Sequence, residues 1–109
     1  MPPTNKPPKT YDAFVRRFPE LAEAWTLTSV GGRKGPLDER ARLLVKLAVA
    51  IGAQREGAVH SAVRKARAAG IETEALEQVV ALAASTLGFP ATVAAYTWVG
   101  DVTRAKRAR

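Results

Sequence analysis

Between Glu77 and Asp101 the chain carries no charged side chain: QVVALAASTLGFPATVAAYTWVG, 23 residues broken at the middle by Gly88-Phe89-Pro90. A stretch of this length matches the roughly 20 residues that cross a bilayer. The break argues against a span. Pro90 has no N–H and disfavours helix at the residue before it, so one helix is expected to stop near Leu87 and another to start at Pro90. Ser85, Thr86, Thr92 and Thr97 dilute the apolar content further. The stretch therefore reads as two helices buried against protein, not lipid. It is more apolar than a chain of 109 residues needs for its own core, and the excess points to a subunit interface.

A net charge of +7 suggests an anionic partner until it is located. Lys6 and Lys9 lie in a proline-rich segment at residues 1–9, expected to be a flexible tail; Arg104, Lys106, Arg107 and Arg109 lie in a basic tail at 104–109. Setting those six aside leaves 11 basic against 10 acidic residues for a single domain at 10–103. Nucleic-acid-binding domains carry their basic stripe on the folded surface, so specific nucleic-acid recognition is not expected. The chain has no cysteine, which excludes disulfides, thiolate metal sites and thiol catalysis. The segment MPPTNKPPK has no apolar run and does not read as a secretory signal, so the expected location is the cytoplasm.

Apolar spacing predicts helices throughout. Tyr11, Phe14, Val15 and Phe18 fall at i, i+3, i+4, i+7, and Pro19 opens a second helix whose apolar side is Leu21, Ala22 and Trp25. Gly31-Gly32-Arg33-Lys34-Gly35-Pro36 reads as a loop; it is glycine-rich and basic, but lacks the preceding strand and the G-x-x-x-x-G-K-[ST] spacing of a phosphate loop. Asp38 is the expected N-cap of a third helix reaching about Ile51, with Leu43, Leu44, Leu47 and Ile51 facing the core. A fourth helix covers about Glu56 to Ala69 and ends at Gly70, with Ile71 packing back on its last turn. Thr73 is the expected cap of the fifth, whose stripe is Leu76, Val79, Val80, Ala83, Ala84 and Leu87. A sixth runs from Pro90 to about Thr103. No alternating pattern marks a strand; the expected fold is all-α, with about six helices.

From Leu37 onward, about two-thirds of the chain, the segments LDERARLLVKLAVAIG, VRKARAAGIETEALEQVVALAA, the GFPA turn and a closing helix with Trp98 resemble the carboxymuconolactone decarboxylase and alkylhydroperoxidase-D-like family. The resemblance implies that family's helical fold and a dimer-based homo-oligomer, up to a hexamer. It does not carry over the chemistry. Peroxidase members place C-x-x-C-x-x-x-H ahead of a segment like Val63-Arg64-Lys65-Ala66; that register puts Arg55 and Ala58 at the two cysteine positions and Ala62 at the histidine. The proton-relay glutamate falls on Leu43. Without a thiolate there is no disulfide exchange and no sulfenic-acid cycle. A two-residue shift makes His60 the family histidine, at the cost of moving Val63-Arg64 out of register.

His60 is the only histidine. Glu56, His60, Arg64 and Arg67 share one face of the fourth helix, while Ala58, Val59, Ala62, Val63 and Ala66 form its apolar face. The plain reading is a solvated stripe with weak Glu56–His60 and Glu56–Arg55 pairs. The functional reading makes Glu56 and His60 an acid–base pair, with Arg64 or Arg67 holding a substrate carboxylate. No metal is expected, because Glu56 and His60 are only two ligands and no third is apparent nearby. Trp25, Trp98, Tyr11 and Tyr96 could line a small-molecule pocket, with Trp98 the aromatic expected to touch a ligand; aromatics at helical spacing are more often core. No cofactor is expected. The leading expectation is a non-thiol homo-oligomer that binds a small molecule, a small carboxylate being one candidate, or is structural. Its alternatives are a decarboxylase- or isomerase-like enzyme using His60 and Glu56, and an interaction module docking an acidic partner through the basic tails.

Overall fold

The structure, a computed structural model, describes residues 8–104. Most of the two expected tails therefore lies outside the described residues, as does the greater part of the charge on which a tail-docking reading depends. The described residues form six helices and no strand: α1 (Lys9–Arg17), α2 (Pro19–Gly32), α3 (Glu39–Gly52), α4 (Glu56–Ala68), α5 (Thr73–Leu87) and α6 (Phe89–Thr103). None of them is long and apolar enough to cross a membrane. Two compact units emerge, one containing α1 and α2, the other beginning at Asp38 and containing α3 to α6.

In the first unit, Pro19 starts α2 as expected, directly after a non-helical Phe18 at φ −130° and ψ 72°. Lys9, assigned above to the tail, is already helical. The face formed by Tyr11, Phe14, Val15 and Phe18 is present, and the Phe14 and Phe18 rings meet at 5.3 Å with the Arg17 guanidinium over Phe18. Yet no residue of α1 or α2 is buried, and Trp25 remains 51% exposed. Two short helices share one line of contact, which cannot cover two apolar faces. Gly31 and Gly32 depart from the expected loop and form the last turn of α2.

The second unit has a continuous core. Leu47 and Ile51 of α3, Val59, Val63 and Ala66 of α4, Leu76 and Val80 of α5, and Ala95 and Val99 of α6 are all buried, with Leu43, Leu44, Val79, Ala83 and Leu87 packed against them. Local chemistry sets the joints. The Asp38 carboxylate accepts from the Ala41 N–H at 2.8 Å and caps α3. At the end of α4, Gly70 takes a left-handed φ of +88°. The Gly70 N–H bonds to the Arg67 carbonyl and the Ile71 N–H to the Ala66 carbonyl, which closes a Schellman turn and buries Ile71. Gly88, at φ +84° and ψ 165°, makes the break between α5 and α6 in a region almost restricted to glycine. Helix α6 consequently starts at Phe89, one residue earlier than expected, with Pro90 in its first turn.

Thr73 does not cap α5. It is the first helical residue, and Glu72 before it is the N-cap, its side chain drawn instead to Arg40 at 3.0 Å. That hydrogen bond from Arg40, with help from the local backbone and the Arg40 charge, holds the Glu72 carboxyl below the usual carboxylate range. Glu72 is thus more acidic folded than unfolded, and it adds stability above its unfolded pKa that is lost as pH falls through the folded value. The melting-temperature difference between the parent chain and Arg40→Gln should therefore shrink on acidification through that window. A difference constant with pH would remove Arg40 as the cause. Separately, Leu76→Ala should lower unfolding free energy by about 2–5 kcal/mol in urea titration, the range for a fully buried leucine.

Candidate functional site

Helix α4 packs on both α3 and α6. Its buried residues Val59, Val63 and Ala66 fix which side faces inward, and Ala62 is half-buried beside them. Ala58, expected on this face, is exposed, because it lies about 100° round the helix from Val59 and off the buried stripe. His60 stands at the edge of the buried face, with its side chain 26% exposed. Its Nε2 lies 3.0 Å from Oδ2 of Asp101 on α6 and 4.0 Å from Oε2 of Glu56, one turn earlier on α4.

The Glu56–His60 proximity follows from i, i+4 spacing. The shorter contact does not. Asp101 comes 41 residues later and on another helix, so no local spacing connects it to His60. A signal was present: Asp101 is the first charge after the apolar stretch and directly follows the buried pair Val99-Gly100. Where α6 packs on α4, that charge must emerge at the rim of the packed surface. Asp101 also changes the metal argument. Glu56, His60 and Asp101 offer three ligand atoms within 4.8 Å of one another, where α4 alone offered two.

The other expected site residues disperse. One guanidinium nitrogen of Arg67 donates to the Ile71 carbonyl at 2.8 Å, so this side chain ties down the turn after α4. Arg64 is half-buried and has no ion-pair partner among the described residues. It belongs to a cationic group: burial first, then Lys46 and Arg64, pushes the Lys65 ammonium below its ordinary range. No Glu56–Arg55 ion pair forms among the described residues; Glu56 faces His60 instead.

Trp98 is half-buried against the core. Of the four aromatics considered as pocket lining, Tyr96 alone borders the apolar groove of about 280 Å³ between α5 and α6, with Val80, Ala81, Phe89 and Val93. Tyr96 is also held by Arg104, whose Nη1 donates to the phenol oxygen at 3.3 Å and whose guanidinium lies 5.0 Å from the ring centre. Gly100 permits this: a Cβ there would run into the folded-back Arg104 side chain.

The fold is thus a small α-helical scaffold with a lone imidazole between two carboxylates where α4 meets α6, and an apolar groove on α5 and α6. The sequence model of the carboxymuconolactone decarboxylase family matches residues 19–101, and the chain belongs to that family. The match begins at Pro19, so it takes in α2 as well as the segments from Leu37 onward. No curated protein and no solved structure matches the chain.

The register that places Arg55, Ala58 and Ala62 at the peroxidase positions maps them to the N-cap and first turns of α4. None of these side chains can form a thiolate or relay a proton at neutral pH. The purified chain should therefore not reduce an alkyl hydroperoxide with a dithiol reductant above the buffer rate. Turnover that one substitution abolishes would contradict this.

Proposed function

We propose that this is a non-thiol member of its family that works as a homo-oligomer and binds a small carboxylate, and that the α5–α6 face carries the assembly. The supporting observation is Phe89, 78% exposed beside the groove formed by Val80, Ala81, Val93 and Tyr96. Val93, also lining the groove, is 57% exposed. Burying a side chain of this size contributes about 1.5–3 kcal/mol, so the exposed face has much to gain by association. A projecting ring next to a groove of its own face is also self-complementary: in a two-fold dimer each Phe89 can enter the other copy's groove. Light scattering at micromolar concentration should give a multiple of 11.7 kDa. Phe89→Asp should shift the population to smaller species without loss of helicity. A monomeric parent chain, or an assembly unchanged by Phe89→Asp, would contradict the proposal.

A second reading is carried by the Asp101–His60 contact. An imidazole fixed by a carboxylate has a defined tautomer and can act as a general acid or base, the role that aspartate serves for histidine in hydrolase triads. Arg64, one turn beyond His60 and without an ion-pair partner among the described residues, would hold a substrate carboxylate. Titration with a small dicarboxylate should shift the His60 ring resonances saturably, and Arg64→Ala should abolish the shift. Ring resonances indifferent to the ligand would leave His60 without this role.

A further inference from the structure

We propose that Glu56, His60 and Asp101 bind one divalent transition-metal cation, through Nε2 of His60 and one carboxylate oxygen from each acid. Both carboxylates approach the same ring nitrogen, one at 3.0 Å and the other at 4.0 Å, and the three donor atoms lie within 4.8 Å of one another. For bonds of about 2.1 Å, donors around one cation stand roughly 3.0–3.5 Å apart. His60 and Asp101 already meet that spacing. Glu56, with its side chain 58% exposed and three rotatable bonds, closes the remaining gap by changing rotamer.

Charge supplies an independent argument. The chain has 17 lysines and arginines against 10 acids, yet among the described residues neither Glu56 nor Asp101 pairs with any of them. Two carboxylates this close repel each other. A divalent cation neutralises both. The elements packed against the cluster anchor it as well: Asp101 directly follows buried Gly100 on α6, and His60 directly follows buried Val59 on α4.

The donor set selects the metal. One imidazole with two carboxylates suits zinc, cobalt or manganese, whereas magnesium and calcium favour oxygen ligands alone. Three protein donors on an exposed rim leave the remaining positions open to water, the arrangement of catalytic rather than structural sites. This inference goes beyond both readings above. It does not depend on self-association, and it differs from the acid–base reading because a cation on Nε2 displaces the hydrogen bond that Nε2–H donates to Asp101.

The test uses the tag-free full-length chain, stripped with chelator and titrated with cobalt(II) and zinc(II) by absorption spectroscopy and calorimetry. His60 is the only imidazole and there is no thiol, so the spectrum has one nitrogen ligand to report. We expect one equivalent bound per chain, no competition from magnesium, and loss of binding in His60→Ala. Asp101→Asn and Glu56→Gln should each weaken binding at least about tenfold, since loss of a group merely supporting a ligand already costs about 10–100-fold. Glu23→Gln, on α2, should change nothing. Circular dichroism shows whether each variant keeps its helices, and Asp101→Asn, close in shape, decides the matter if His60→Ala unfolds. Absence of saturable binding, equal competition by magnesium, or affinity unaffected by Asp101→Asn overturns the proposal. Because every readout is metal uptake, its failure leaves the light-scattering and dicarboxylate tests untouched.

Discussion

Everything distinctive in this molecule depends on the packing of α4 against α6. The residues that these helices bury are small: Val59, Val63 and Ala66 on one, Ala95, Val99 and Gly100 on the other. Small side chains let two helices approach toward the near end of the usual 8–10 Å separation. Where two helices pack closely, a residue just beyond the buried stripe of one reaches a residue just beyond the stripe of the other. His60 follows Val59 and Asp101 follows Val99-Gly100, so two rim residues are brought within hydrogen-bond reach by the core beside them. Gly100 contributes once more, as the space into which Arg104 folds to cover Tyr96.

The turn at Gly70, the break at Gly88 and the leucine and valine stripes of α3 and α5 join Val59 of α4 in holding the helices in place. In the register set by Val63-Arg64-Lys65-Ala66, the peroxidase positions fall on exposed Arg55 and Ala58 and on half-buried Ala62. The polar groups that remain at this junction come from different positions, one of them on α6.

Much of the fold was legible because its signals are local. Asp38 as a cap, Gly70 as a left-handed stop and Pro90 in a first turn each act within a few residues, and the spacing of Leu47, Ile51, Leu76 and Val80 reports one helix face at a time. The misses have physical causes too. Gly31 and Gly32 extend α2 because glycine tolerates a helix end as readily as a loop. Thr73 yields the capping position to Glu72, whose side chain is committed to Arg40 across 32 residues. The site was half legible for the same reason: Glu56–His60 is an i, i+4 pair, whereas Asp101 joins it only through tertiary packing. Arg67 looked like a ligand group because its use by the Ile71 carbonyl arises only once the turn is formed.

The central claim is that helix packing, not the α4 sequence alone, fixes the imidazole of His60. Nitrogen-15 NMR of the metal-free, tag-free chain tests it most directly, since there is one histidine to observe. With neutral imidazole the account predicts a single tautomer protonated at Nε2, its ring N–H slowed in exchange by the bond to Asp101. Asp101→Asn should shift the ring nitrogens while leaving the helical content intact. Ring nitrogens averaged as in free imidazole, and unmoved by Asp101→Asn, would contradict it.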